Sequence, residues 1–301
     1  MDIVEKPILL TGASGALGRM LAREVGAAGF TLRLTDINPF PDPLPARASF
    51  IRADLNEGLA IIRQAEGCST ILHFGGNATE QPFETIIEPN IRGLYHIYEA
   101  ARREGARVVF ASSNHTIGFH ERPEVVAASI HASGPDGPAA TEAGGNEGKL
   151  DFDCQFRPDG YYGLSKVYGE MMGRLYWDKH GVENVNLRIG SCLPEPRNAR
   201  GLATWLSYPD LAHCVIRCIL AERVGHAVIW GASNNPQSYW AKDHRDRIGW
   251  QPKDTAETYR AGIETLVSDS AVEERYQGGF YCPIEYSRRG GFSPRDPFLL
   301  D

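Results

Sequence analysis

The chain has 301 residues, 42% of them hydrophobic and 23% charged, with a formal net charge of -7 at pH 7. That length can bury a full core in one large domain or two closely packed ones, and the acidic balance argues against nucleic acid or an anionic membrane as partner. No apolar run approaches the roughly 20 residues of a membrane helix, and the opening "MDIVEKPILLTGASG" does not read as a signal peptide.

In chain order, strands are predicted at 7–11 (PILLT), 31–35, 49–53, 70–74, 107–112, 185–189 and 227–231, with helical periodicity over 15–29, 83–104 and 161–180. Alternation of this kind implies a parallel sheet covered on both faces, so the expected fold is a Rossmann-type doubly wound α/β sheet. Residues 1–190 plus the strand near 226–232 are expected to form a dinucleotide-binding domain. Residues 191–225 and 233–301 are expected to form a small discontinuous substrate lobe over its C-terminal edge. The Gly-, Pro- and Ala-rich segment 119–158 breaks the rhythm and reads as a long surface loop, a candidate lid. Cys68, Cys154, Cys192, Cys214, Cys218 and Cys282 are scattered, as in a reducing compartment such as the cytoplasm. Cys214 and Cys218 share a helix face after His213, where apolar packing explains them better than a metal does.

The first strand runs into "TGASGALG", which places Gly12, Gly15 and Gly18 at a strand-to-helix turn. In that context the glycines serve a tight turn, close approach of backbone N–H groups to a pyrophosphate, and helix-on-sheet packing. Ser14, Ala16 and Leu17 belong to the same turn. Asp36 ends the second strand, where a carboxylate accepts ribose hydroxyls and repels a 2′-phosphate, so NAD is expected over NADP. Asp54 and Leu55 follow the third strand. Asp54 is placed either to meet adenine or to cap the next helix. Phe74, Gly75 and Gly76 end the fourth strand, and Ile189 ends the sixth; all are expected to border the cofactor.

The fifth strand ends "ASSNH", so Ser112, Ser113, Asn114 and His115 are expected to face the nicotinamide. "DGYYGLSK" (159–166) sets two tyrosines before a lysine. Residues four apart on a helix differ by about 40° around its axis and five apart by about 140°. Tyr162 therefore shares a face with Lys166, whereas Tyr161 reads as packing. A fixed ammonium and the nicotinamide charge would lower the Tyr162 phenol from its ordinary pKa of about 10 towards working pH. His115 also fits an ordinary strand-end core role, and Arg200 a surface role beside Arg197.

The glycine turn, the strand-end serine and Tyr-x-x-x-Lys, in this order, resemble the extended short-chain dehydrogenase/reductases over nearly the whole chain. The resemblance implies Tyr162 as acid/base, Lys166 as its partner and ribose clamp, and Ser113 as the donor that orients the reacting oxygen. "SSNHTIG" (112–118), "RIGSCLPEP" (188–196), "TWLSYPDL" (204–211), "VIWGAS" (228–233), "GWQPKD" (249–254) and "YQGG" (276–279) are similar to uronate dehydrogenases within that family. That likeness implies NAD-dependent oxidation of galacturonate or glucuronate at the anomeric carbon to an aldarolactone, and a homo-oligomer. It also implies Ser113, Asn114, His115, Ser191 and Arg200 as substrate contacts. Ala78 departs from the group, which has a serine there; Asn77 and Thr79 are the candidates to replace the lost hydroxyl. Nucleotide-sugar epimerases or dehydratases of the same family, and a non-catalytic NAD sensor, are the alternative readings.

Overall fold

A computed structural model describes residues 6–133 and 148–287. Seven parallel strands form one sheet: β1 (Ile8–Thr11), β2 (Leu32–Asp36), β3 (Ala48–Arg52), β4 (Thr70–His73), β5 (Arg107–Ser113), β6 (Asn184–Ile189) and β7 (His226–Gly231). Their spatial order is β3-β2-β1-β4-β5-β6-β7. The order reverses between β1 and β4, so the chain leaves a crevice at their carboxyl ends, where α/β sheets bind ligands. Registers such as Thr11↔His73, His73↔Phe110 and Ser113↔Ile189 bring the predicted strand-end residues to one edge.

The centre of the sheet is buried on both faces: β1 and β4 carry no exposed residue, whereas the edge strand β3 does. Helix α1 (Ala16–Ala27) buries Met20, Leu21 and Val25 against one face. Helices α2 (Gly58–Ala65) and α4 (Gly93–Glu104) cover the other face together with α6 (Tyr161–His180). Glycines Gly169 and Gly173 let α6 lie close: a Cβ on either would strike Phe110 or Asn184.

Three segments differ from the sequence expectation. The stretch read as a helix over 83–104 contains a π-helical turn (Ile87–Arg92) between α3 (Phe83–Ile86) and α4; Pro89 lies inside it and cannot supply a regular helical N–H. The segment read as one loop over 119–158 carries helix α5 (Pro123–Ser133), with proline in its first position, where a missing N–H costs nothing. Residues 134–147 of that segment, and the tail from 288, lie outside the described residues. Finally, α7 (Tyr208–Leu220), expected in the substrate lobe, packs on the α1 face: Leu211, Val215, Cys218 and Ile219 share its core with Leu21 and Val25, as do Ile248 and Trp250. Cys214 and Cys218 are buried there as free thiols. Among the described residues no helix is long and apolar enough to cross a membrane, and no cluster of metal-ligating side chains occurs.

Candidate active site

The residues expected from sequence to bind cofactor or substrate or to carry the chemistry, Thr79 excepted, line one cavity of about 910 Å³ at the carboxyl ends of the strands. At one end lies the glycine turn. Gly12 has φ +70°, and a Cβ there would collide with the Phe74 carbonyl; a Cβ on Gly18 would overlap the Gly12 carbonyl oxygen. Gly15 is the N-cap of α1 and brings no side-chain hydrogen bond, and the first turn carries no acid. The open N–H groups and the positive end of the helix dipole are thus left for an anion, as a pyrophosphate requires.

Asp36 is held at the end of β2 by two backbone amides: Ser14 N–H donates to Oδ2 at 3.0 Å and Asn38 N–H to Oδ1 at 2.9 Å. The carboxylate is oriented at the cavity edge beside the turn, where it fits ribose hydroxyls. Asp54 Oδ1 accepts from Asn56 N–H at 2.9 Å, and the N-cap of α2 is Glu57, so Asp54 does not cap that helix. The donor set of the turn and the Asp36 carboxylate fit NAD.

At the other end, Tyr162 and Lys166 lie one turn apart on α6, both buried in the wall of the cavity. The Lys166 ammonium sits 4.9 Å from the Phe110 ring centroid and 5.3 Å from that of Tyr162. Burial lowers Lys166 to about 8. Burial raises the Tyr162 phenol above its ordinary value, and a hydrogen bond with the Ser113 side chain opposes that rise. The ammonium lies over the tyrosine ring, and burial is the largest influence on the phenol, opposing the lowering expected of Lys166 and the nicotinamide charge. Tyr161 points elsewhere: it is 41% exposed and packs edge-on against Phe83, 5.6 Å between centroids.

Ser112 is the exception among the strand-end residues. Its hydroxyl turns away from the cavity and donates to Glu170 Oε1 at 2.6 Å, and only the rest of the residue borders the cavity. Alternation along β5 is the reason: successive side chains leave the sheet on opposite faces, and that of Ser112 meets Glu170 of α6. Glu170 in turn grips Arg188 with two bonds of 2.9 and 2.8 Å, an ion pair buried beneath the site.

The far wall is built around Arg200. Its Nε donates to the Gln277 carbonyl at 2.8 Å and its Nη1 to Ser191 Oγ at 3.1 Å. Asn114, with its amide oriented to satisfy both neighbours, accepts from Arg200 Nη2 at 2.8 Å and donates to the Ile189 carbonyl at 3.1 Å. These partners are neutral, and burial pushes the guanidinium below its usual range. Of its five N–H groups, one on each Nη stays uncommitted by these bonds. Ala78 lines the cavity. Asn77 lines it too, but its amide nitrogen is engaged by the Thr85 carbonyl at 2.6 Å, and Thr79 is not among the lining residues.

Residues 8–206 match the family model described as "NAD dependent epimerase/dehydratase family". The chain belongs to this family. It is 40% identical over 278 residues to a uronate dehydrogenase of Pseudomonas putida, covering 91% of this chain and 95% of that protein. A crystal structure of uronate dehydrogenase from Agrobacterium tumefaciens is 40% identical, with TM-score 0.79, covering 92% of this chain and 96% of that one. A single-residue mutant of that enzyme, described as complexed with NAD, is 39% identical with TM-score 0.79, covering 92% and 97%. With the cradle described above, this family member is an NAD-dependent dehydrogenase.

Four residues of the site escaped sequence reading. Asn90, in the π-helical turn, accepts the Asn77 N–H at 2.8 Å and donates to Ser165 Oγ at 2.9 Å, tying the loop after β4 to α6. The proline beside it was the available signal. Glu80, Asp159 and Tyr281 also converge on the start of α6: Glu80 caps the helix, Asp159 binds His115, and the Tyr281 ring stacks on His115 at 4.1 Å.

Proposed function

We propose that this dehydrogenase oxidises a hexuronate, galacturonate or glucuronate in its ring form, at the anomeric carbon, giving the aldarolactone. The observation that carries the reading is Arg200: a partly buried guanidinium with neutral partners, in the same cavity as Tyr162 and Ser113. Its two uncommitted N–H groups suit a carboxylate gripped by both oxygens. The uronate dehydrogenases at 40% identity support the same substrate class.

In this reading Ser113 donates to the anomeric hydroxyl and sets its distance from Tyr162. Tyr162, as phenolate, takes the proton of that hydroxyl as the C1–H bond breaks and the ring carbon becomes a lactone carbonyl. NAD would supply, when bound, the acceptor for the hydride from C1 and a positive charge near the phenol. That charge and the Ser113 bond work against the burial that raises Tyr162. Lys166 binds the nicotinamide ribose, and Asp36 binds the adenosine ribose. Asp54, Leu55, Phe74, Gly75, Gly76, Ile189 and the backbone of Ser112 line the cofactor's path. Asn114, His115 and Ser191 bind the sugar hydroxyls. No water is needed, because a ring hemiacetal yields the lactone directly.

The protein self-associates in this proposal: α6 leaves Leu164, Met171 and Leu175 exposed at helical spacing. The cytoplasm is its proposed location, in keeping with six unpaired cysteines. The deciding experiment is NADH formation across uronates, neutral aldoses and UDP-sugars. Turnover of uronates is expected; activity confined to UDP-sugars, as for an epimerase or dehydratase, would overturn the reading.

A further inference from the structure

Asp159 immediately precedes Gly160, the N-cap of α6, and its carboxylate has no exposed surface. Oδ2 lies 2.6 Å from His115 Nδ1, and Oδ1 has no hydrogen-bond partner among the described residues. Three glycines make room for it. A Cβ on Gly118 or Gly278 would overlap Oδ2, and one on Gly163 would come within 3.1 Å of Oδ1. None of the three has positive φ; at Gly118 and Gly278 the carboxylate itself leaves no room for a Cβ, while at Gly163 the His115 carbonyl oxygen is the nearer obstacle. Stability does not ask for such an arrangement, since a buried carboxylate with an unpaired Oδ1, whose Oδ2 has only His115 and a long, weak Cys282 Sγ–H contact at 3.8 Å, is costly and a neutral side chain would avoid the cost.

The partner is held as firmly. Tyr281 stacks on the His115 ring at 4.1 Å and 17°, and Tyr162 meets it edge-on at 5.8 Å. A carboxylate at Nδ1 requires a proton on that nitrogen, and in a neutral imidazole this leaves Nε2 bare. Among the described residues no hydrogen bond engages Nε2, and His115 lines the cavity next to Tyr162.

We infer that Asp159 is a positioning residue: it holds His115 in the Nδ1–H tautomer so that Nε2 accepts a substrate hydroxyl beside the carbon that Tyr162 addresses. This deepens the functional reading above and rests on it for the identity of the sugar.

The test joins a spectroscopic readout to a kinetic one. Imidazole nitrogen resonances of the isotope-labelled full chain, with His115 assigned by its loss in His115→Gln, are expected to show the Nδ1–H tautomer at neutral pH. In Asp159→Asn the amide donates to Nδ1 and the proton moves to Nε2, as partner amides do in other carboxylate–histidine pairs. KM for uronate should then rise on the order of 10- to 100-fold, the typical effect of losing such an orienting partner, with NADH binding unchanged. In the His115→Gln background Asp159→Asn should add little, because the two act as a unit. An Nε2–H tautomer or an imidazolium in the wild type would overturn the inference, even if Asp159→Asn failed to fold. Additive effects of the two substitutions would also overturn it and leave Asp159 a structural residue. A wild type without uronate turnover, yet with the tautomer and its dependence on Asp159 intact, would support the positioning role and sink only the substrate assignment.

Discussion

Glu80 and Tyr162 lie 82 residues apart and meet at the start of a helix: Glu80 Oε2 accepts the Tyr162 backbone N–H at 2.8 Å, and Oε1 accepts that of Tyr161 at 2.8 Å. Gly160, the N-cap of α6, has no side chain to do this. A carboxylate from the loop after β4 therefore satisfies the two donors and complements the helix dipole. Glu80→Ala should lower unfolding free energy by about 0.5–2 kcal/mol, the ordinary loss of a cap, and should lower kcat because Tyr162 is the second residue of the helix. Urea denaturation and initial rates check both. Unchanged values in the two assays would make the cap idle.

Tyr162→Phe should abolish turnover while NADH still binds, whereas Tyr161→Phe should keep most activity. The first phenol is buried in the cavity wall beside Ser113, and the second is exposed against Phe83. Equal losses in steady-state rates would contradict this assignment.

Asp36→Ala should raise the use of NADP relative to NAD, because the fixed carboxylate that repels a 2′-phosphate is gone. The ratio of kcat/KM for the two cofactors measures it. A wild type that uses both equally would place Asp36 away from the ribose.

Arg200→Ala would remove one partner of the ion pair proposed with the uronate, a loss of about 2–5 kcal/mol, so kcat/KM for uronates should fall roughly 30- to several-thousand-fold. The weak rate with the matching neutral hexose should hardly change. Equal losses for both sugars would assign Arg200 to loop packing through its Gln277, Ser191 and Asn114 contacts.

Acid should destabilise the fold through His73. Burial, with the Lys166 charge behind it, lowers this histidine from 6.5 to about 3. Between those values the unfolded chain binds a proton that the folded one does not, so stability is lost as pH falls through this window. The slope is about 1.4 kcal/mol per pH unit for one such group. His226, lowered to about 4 mainly by burial, adds to it down to that pH. His73→Gln should flatten the curve of unfolding free energy against pH between those limits; parallel curves would refute the assignment.

The sheet and the cofactor cradle were legible because their signals are local: apolar runs of strand length, glycines at a strand-to-helix turn, a carboxylate at the next strand end. Tyr162 was separable from Tyr161 by helical geometry alone. The supports of these groups were not legible, since Glu80, Asp159 and Tyr281 reach the site across long sequence separations and leave no periodic mark. The direction of the Ser112 hydroxyl was not legible either: its strand-end position brings the residue to the cavity, while the alternation along β5 turns the hydroxyl to Glu170. The α5 helix was hidden by its composition, small residues that read as loop until Pro123 is taken as a helix start.

Tyr281, which stacks on His115, and Gln277, whose carbonyl holds Arg200, come from one short stretch that follows all seven strands of the sheet in sequence. During synthesis the glycine cradle and Asp36 leave the ribosome first, and the pieces that shape the sugar end leave long afterwards. Errors confined to the late stretch would yield a protein that still retains NAD and turns over nothing, a failure that dinucleotide affinity chromatography passes and only an assay with sugar detects.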